Sequence, residues 1–204
     1  MVVNVYSGYG VRVETVLLWK TFLERQFPAA ETHFVDGRSL LSNSPTAVIF
    51  PGGSASKFAK SIGGKRRQRL KDWVRGGGNY IGICAGAYLA SETYAWSLGI
   101  SPVKISRPWR RGHHKARIQM VDGYRKVDYF NGPIFEKWDR EVKVVARYID
   151  DIPNPVGEHD MPLSPAILTN TYGDGKVLLL SPHLEKTPGM EEELTHLIQG
   201  LVET

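Results

Sequence analysis

Short apolar runs alternate along the chain with longer stretches whose apolar residues recur every three or four positions, a rhythm that predicts strands alternating with helices. Residues 2–6 (Val-Val-Asn-Val-Tyr) read as a first strand. Residues 11–27 place Val13, Val16, Leu17, Phe22 and Leu23 at helical spacing, and 33–35 and 47–50 are further strand-like runs. A helical pattern over 57–75 stops at Gly76-Gly77-Gly78, with a strand over 79–83 and a helix directly after it. From about residue 100 to 148 the period shortens to two, as in Ala116-Arg117-Ile118-Gln119-Met120 and Val142-Lys143-Val144-Val145-Ala146, which predicts antiparallel strands or hairpins. Strands over 166–171 and 176–180, joined by Tyr172-Gly173-Asp174-Gly175, precede an amphipathic helix over 190–202. The pattern predicts one α/β domain over residues 1–204, its central sheet mostly parallel with antiparallel strands added.

Composition narrows the class. With 204 residues, 42% hydrophobic and 23% charged, the chain is large enough to bury a sizeable core. Its single cysteine, Cys84, allows no internal disulfide, and no apolar run approaches the ~20 residues of a membrane span. A cytoplasmic protein is expected, without membrane contact.

The chemistry concentrates at Gly82-Ile83-Cys84-Ala85-Gly86. A strand turning sharply into a helix between two glycines exposes the residue at the turn, the arrangement of a nucleophile elbow. Orphan N–H groups at the helix start favour a thiolate and can face a developing oxyanion. Downstream, Ser181-Pro182-His183-Leu184-Glu185 follows the apolar run 177–180 and supplies a candidate base, His183, with Glu185 to orient its ring. The carboxyl edge of a parallel sheet is where both would meet. Pro51-Gly52-Gly53 after the strand 47–50 offers amides of Gly52 and Gly53 to join that of Ala85 in an oxyanion hole.

A strand followed by Pro-Gly-Gly, then Gly-x-Cys-x-Gly, then His-x-Glu resembles the class I glutamine amidotransferase superfamily. Within it the chain is most similar to the family of the biotin–protein ligase N-terminal domain, through residues 5–11, 51–53, 80–91, Phe130-Asn131-Gly132-Pro133 and 172–185. The resemblance implies a flavodoxin-like three-layer sandwich, with Cys84 as nucleophile, His183 as base and Glu185 as orienting acid. Departures modify the expectation. Glutaminases of the superfamily continue past the nucleophile with small-Gly-His-Gln, whereas Ala87 and Tyr88 stand here, and Leu184 replaces the proline usual between His and Glu. The chain has no Gly-Arg-Gly-Arg run of the kind biotin ligases use, so biotin ligation is not expected of it.

The formal net charge of +5 directs attention to the basic residues. Those in Lys65-Arg66-Arg67-Gln68-Arg69-Leu70-Lys71 read as a solvated helix face. The segment 107–117, with Arg107, Trp109, Arg110 and Arg111, can hold an acidic ligand, so Tyr88, Arg110 and Arg111 are candidate substrate-binding residues. No nucleic-acid motif accompanies it, and specific nucleic-acid binding is not expected. His113-His114 lacks further ligands at metal-site spacing, so neither a metal nor a cofactor is expected. Glu158-His159-Asp160, in a Pro-rich loop, is a candidate lid. The leading expectation is a Cys-dependent hydrolase or amidotransferase-like enzyme acting on a small, acidic amide- or ester-like substrate. A catalytically silent binding or regulatory module, a thiol-reactive chaperone or deglycase-like protein, and a nucleic-acid binder resting on the basic patch alone stay open, as do a partner protein and a homo-oligomer.

Overall fold

Strands that bury both faces are apolar along most of their length, and their apolar residues divide by parity between two cores. The computed structural model describes residues 1–107, 112–151 and 160–202. Along it run β1 (Val2–Tyr6), α1 (Val13–Gln26), β2 (Glu31–Val35), β3 (Ala47–Phe50), α2 (Ala55–Ile62), α3 (Gly64–Arg75), β4 (Asn79–Ile83) and α4 (Ala85–Ala90). They are followed by β5 (Val103–Ile105), β6 (His113–Met120), β7 (Gly123–Phe130), β8 (Phe135–Trp138), β9 (Lys143–Tyr148), β10 (Pro165–Tyr172), β11 (Gly175–Leu180) and α5 (Glu191–Val202).

The main sheet has nine strands in the order β2-β1-β3-β4-β11-β10-β9-β6-β7. From β2 to β11 the pairing is parallel, and from β11 to β7 it is antiparallel. Strands β5 and β8 form a separate antiparallel pair. On one face Val3, Val5, Ile49, Ile81, Ile83, Leu178 and Leu180 share a core with the buried side of α1 and α5. On the other, Tyr6, Val48, Phe50, Tyr80, Val177 and Leu179 pack with α2, α3 and α4. This is the expected flavodoxin-like sandwich, with antiparallel strands added to a parallel centre.

The antiparallel half curls. Strand β7 ends the hydrogen-bonding order, yet its Asp128 carbonyl accepts the His183 amide at 2.8 Å and its Asp128 amide donates to Thr187 Oγ1 at 2.9 Å. The far edge of the sheet therefore returns to the loop that follows β11.

Two helical expectations are corrected. Helix α1 buries Thr15, Trp19, Phe22 and Leu23 and leaves Val13 70% and Leu17 57% exposed. Trp19, the bulkiest residue of the helix and fully buried, sets its rotation, so the inward stripe runs through 15, 19, 22 and 23 and not through Val13 and Leu17. The single helix expected over 57–75 is two, divided at Gly63, whose φ of +75° is incompatible with continuing a right-handed helix. Lys65, Arg66 and Arg69 of α3 are exposed, as a solvated face requires. No helix among the described residues is long and apolar enough to cross a membrane.

Candidate active site

Strands β3, β4 and β11 lie side by side and parallel, so the loops leaving their carboxyl ends converge. The first carries Gly52 and Gly53, the second Cys84 and the third His183 and Glu185. Cys84 sits at φ +49° and ψ −100°, a left-sided conformation that L-residues avoid, between the last strand residue Ile83 and the first helical residue Ala85. Its amide is anchored to the Leu180 carbonyl at 2.8 Å. The flanking glycines permit the turn: a Cβ on Gly86 would stand 2.2 Å from the Phe50 carbonyl oxygen, and one on Gly82 would stand 2.7 Å from the Gly86 carbonyl carbon.

His183 is 2% exposed, and its Nδ1 lies 2.6 Å from Glu185 Oε1, a carboxylate whose side chain is completely buried. Cys84 lies near enough to the ring to act on it electrostatically, with Nε2 as the ring nitrogen not engaged by Glu185. Burial, the largest influence, disfavours charge on the imidazole. The Glu185 carboxylate and then Cys84 outweigh it and raise His183 from 6.5 to about 10. The ring is thus an imidazolium at neutral pH, with the Glu185 carboxylate against its Nδ1. Glu185 Oε2 is buried without a protein hydrogen-bond donor among the described residues, which leaves its charge directed at the ring.

Gly52 touches the same ring. A Cβ there would lie 2.4 Å from His183 Cε1, so only glycine leaves space for the imidazole. Neither Gly52 nor Gly53 donates its amide to a main-chain acceptor among the described loops, and Ala85 carries one of the orphan N–H groups at the start of α4. Five of the expected residues (Cys84, His183, Glu185, Gly52 and Ala85) therefore border one point, with Gly53 next to them in the chain. Tyr88, one helical turn beyond Cys84, is buried and donates through its hydroxyl to the Asn131 carbonyl at 3.2 Å. Arg110, Arg111 and Trp109 lie outside the described residues, as do Glu158 and His159. Arg107 is described, with its guanidinium 5.5 Å from the ring centroid of Tyr94.

Residues of the β7 end complete the surroundings and have no assigned role in the sequence reading. The Phe130 carbonyl accepts from Cys84 Sγ at 3.4 Å, and its ring stands edge-on to that of His183 with centroids 5.5 Å apart. Asn131 adopts φ +50°. Gly132 passes so near Ser181 that a Cβ would meet its carbonyl oxygen at 2.2 Å. Fully buried Tyr148 donates to Ser181 Oγ at 2.7 Å; burial, then the charges of Tyr129 and Cys84, push this phenol well above its ordinary 10. The run Phe130-Asn131-Gly132-Pro133 was the available signal, but only the curl of the sheet brings it to Cys84.

The family model of the biotin–protein ligase N-terminal domain matches residues 1–114, more than half of the chain. The chain belongs to this family. Relatives of this biotin–protein ligase N-terminal family member include a biotin–protein ligase of Schizosaccharomyces pombe, 27% identical across 91% of this chain but only 33% of that protein. An uncharacterized protein of Chlamydia muridarum (strain MoPn / Nigg) is also 27% identical, across 80% of this chain and 71% of its own length. Among solved structures, a glutamine amidotransferase superposes with a TM-score of 0.71 at 21% identity, each chain covered completely. A β-galactosidase from Bacillus circulans superposes with a TM-score of 0.58 at 15% identity, across 98% of this chain and 30% of its own. The family member has a class I glutamine amidotransferase-like fold.

Proposed function

We propose that the protein is a cysteine-dependent hydrolase or acyl-transfer enzyme acting on an amide- or ester-like carbonyl, in a reducing cytoplasm that keeps its lone thiol free. The observation that carries this reading is the strained backbone of Cys84 beside a buried His183 that is itself 2.6 Å from Glu185. The imidazolium stabilises a thiolate on Cys84, which attacks the substrate carbonyl. The amides of Gly53 and Ala85 receive the oxyanion, and His183 passes its proton to the leaving group as the tetrahedral intermediate collapses to a thioester. His183, now neutral, takes a proton from water or an acceptor amine as it attacks the thioester carbonyl. Collapse of this second intermediate breaks the C–S bond, releases the acyl product and leaves Cys84 as a thiolate beside the re-formed imidazolium.

Glutamine is not the substrate this site favours. Where the resembling glutaminases place Gln, Tyr88 offers a phenol already donating to the Asn131 carbonyl. An unpaired buried polar group on a bound substrate costs about 1–3 kcal/mol. Biotin ligation is not proposed either, since the chain spans a third of the Schizosaccharomyces pombe ligase and has no Gly-Arg-Gly-Arg run.

The test is a panel of small esters and amides, glutamine included, read by product release and by the intact mass of a trapped acyl adduct. Turnover and adduct on Cys84 are expected with an ester or amide, both lost in Cys84→Ser. His183→Ala should slow the acylation by about 10²- to 10⁴-fold, and Glu185→Gln by less. Absence of any Cys84-dependent adduct across the panel removes the proposal, and fast ammonia release from glutamine by the chain alone removes the argument from Tyr88.

A further inference from the structure

Beside Cys84 and His183 a half-buried aromatic ring is flanked by an imidazole and an ammonium group. Phe130, whose carbonyl meets Cys84 and whose ring meets His183, stacks on His113 at 3.6 Å between centroids and has Lys186 Nζ 5.4 Å from its ring centroid. The position of Lys186 is set by the 3-10 turn Leu184–Lys186: its amide donates to the His183 carbonyl at 3.1 Å. The adjoining Thr187 ties this turn to β7, because its Oγ1 donates to the His183 carbonyl at 2.8 Å and accepts from the Asp128 amide at 2.9 Å.

Around Phe130, among the described residues, one ammonium group has no carboxylate partner. Glu185 faces His183. Asp128 takes Lys115 at 2.7 Å and His113 at 3.5 Å, and these two contacts, opposed by burial, hold its carboxyl below the ordinary range. Lys186 has no carboxylate partner among the described residues. Its contact with the Phe130 ring leaves the three ammonium donors free for an acceptor.

We infer that the molecule acted on at Cys84 carries an anionic group, a carboxylate or a phosphate, which Lys186 receives beside the Phe130 ring. The inference rests on the proposed reactivity of Cys84 and adds its substrate class. Lys186 is then a specificity-determining residue, one 3-10 turn from the proposed base.

Iodoacetate and iodoacetamide probe this charge preference with one chemistry. In either reaction Cys84 sulfur, as thiolate, forms the S–C bond while the C–I electron pair leaves as iodide; only the probe's charge differs. The ratio of the two rate constants, normalised to that of glutathione, should fall by about two- to five-fold in Lys186→Gln and be retained in Lys186→Arg. An unchanged ratio in Lys186→Gln overturns the inference and leaves the Cys84 proposal standing. If Cys84 reacts with neither probe, the catalytic proposal fails, and the shift of unfolding midpoint on adding inorganic phosphate or succinate decides for the anion site. Larger shifts in the native protein than in Lys186→Gln support it, with the more effective anion naming the source, and equal shifts overturn it.

Discussion

Cys84 is buried in a backbone state that costs about 1–3 kcal/mol, and its glycine neighbours leave the space that state needs. His183 carries the complementary charge. Its folded value of about 10 exceeds the unfolded 6.5, so between these values the native protein holds a proton that the unfolded chain has released. The resulting stabilisation is fully present below pH 6.5 and is lost as pH rises through about 10. Urea unfolding of the native protein and of His183→Gln, compared from pH 6 to 10, should show the native advantage shrinking with rising pH. An advantage that grows over that range reverses the assignment of charge. Gly52 has a second reason to be glycine, beyond the oxyanion amide that the sequence suggests: the imidazole occupies the space a Cβ would need.

Elements buried on both sides are the legible ones. Strands β1, β3 and β4 fall where their apolar runs predict, because a strand covered by helices on both faces is apolar along nearly all its length, the buried Asn4 and Asn79 apart. The adjacency of Cys84, His183 and Glu185 follows from the same rule, since successive parallel strands deliver their loops to one edge. Helix α1 is legible in extent but not in rotation, which Trp19 decides through packing. Strand β7 alternates half-buried and exposed residues near its start and reaches the site only through the curl, a tertiary property with no local pattern. The break between α2 and α3 depends on one backbone angle. Gly63→Ala has open space around the new methyl group but must adopt φ +75°, so the variant should lose about 1 kcal/mol in denaturant unfolding. A stability equal to or above the native one would mean that the two helices merge.

At the scale of the molecule, the family member joins two kinds of sheet at β11, parallel to β4 on one side and antiparallel to β10 on the other. That position gives the fold a timetable. The strand between the two halves is made of residues 175–180, so for most of its synthesis the nascent chain has every other parallel strand and no partner for the open edge of β4. Leu178 and Leu180 also supply part of one core, and Val177 and Leu179 part of the other. Folding into the final sheet is therefore a late event, and a chain ending before Gly175 should be digested by a protease at rates typical of unfolded polypeptide while the full chain resists. A protected core in the shortened chain would show that the parallel half closes on its own. Until those six residues emerge, the growing polypeptide presents a bare strand edge open to pairing with its neighbours on the polysome.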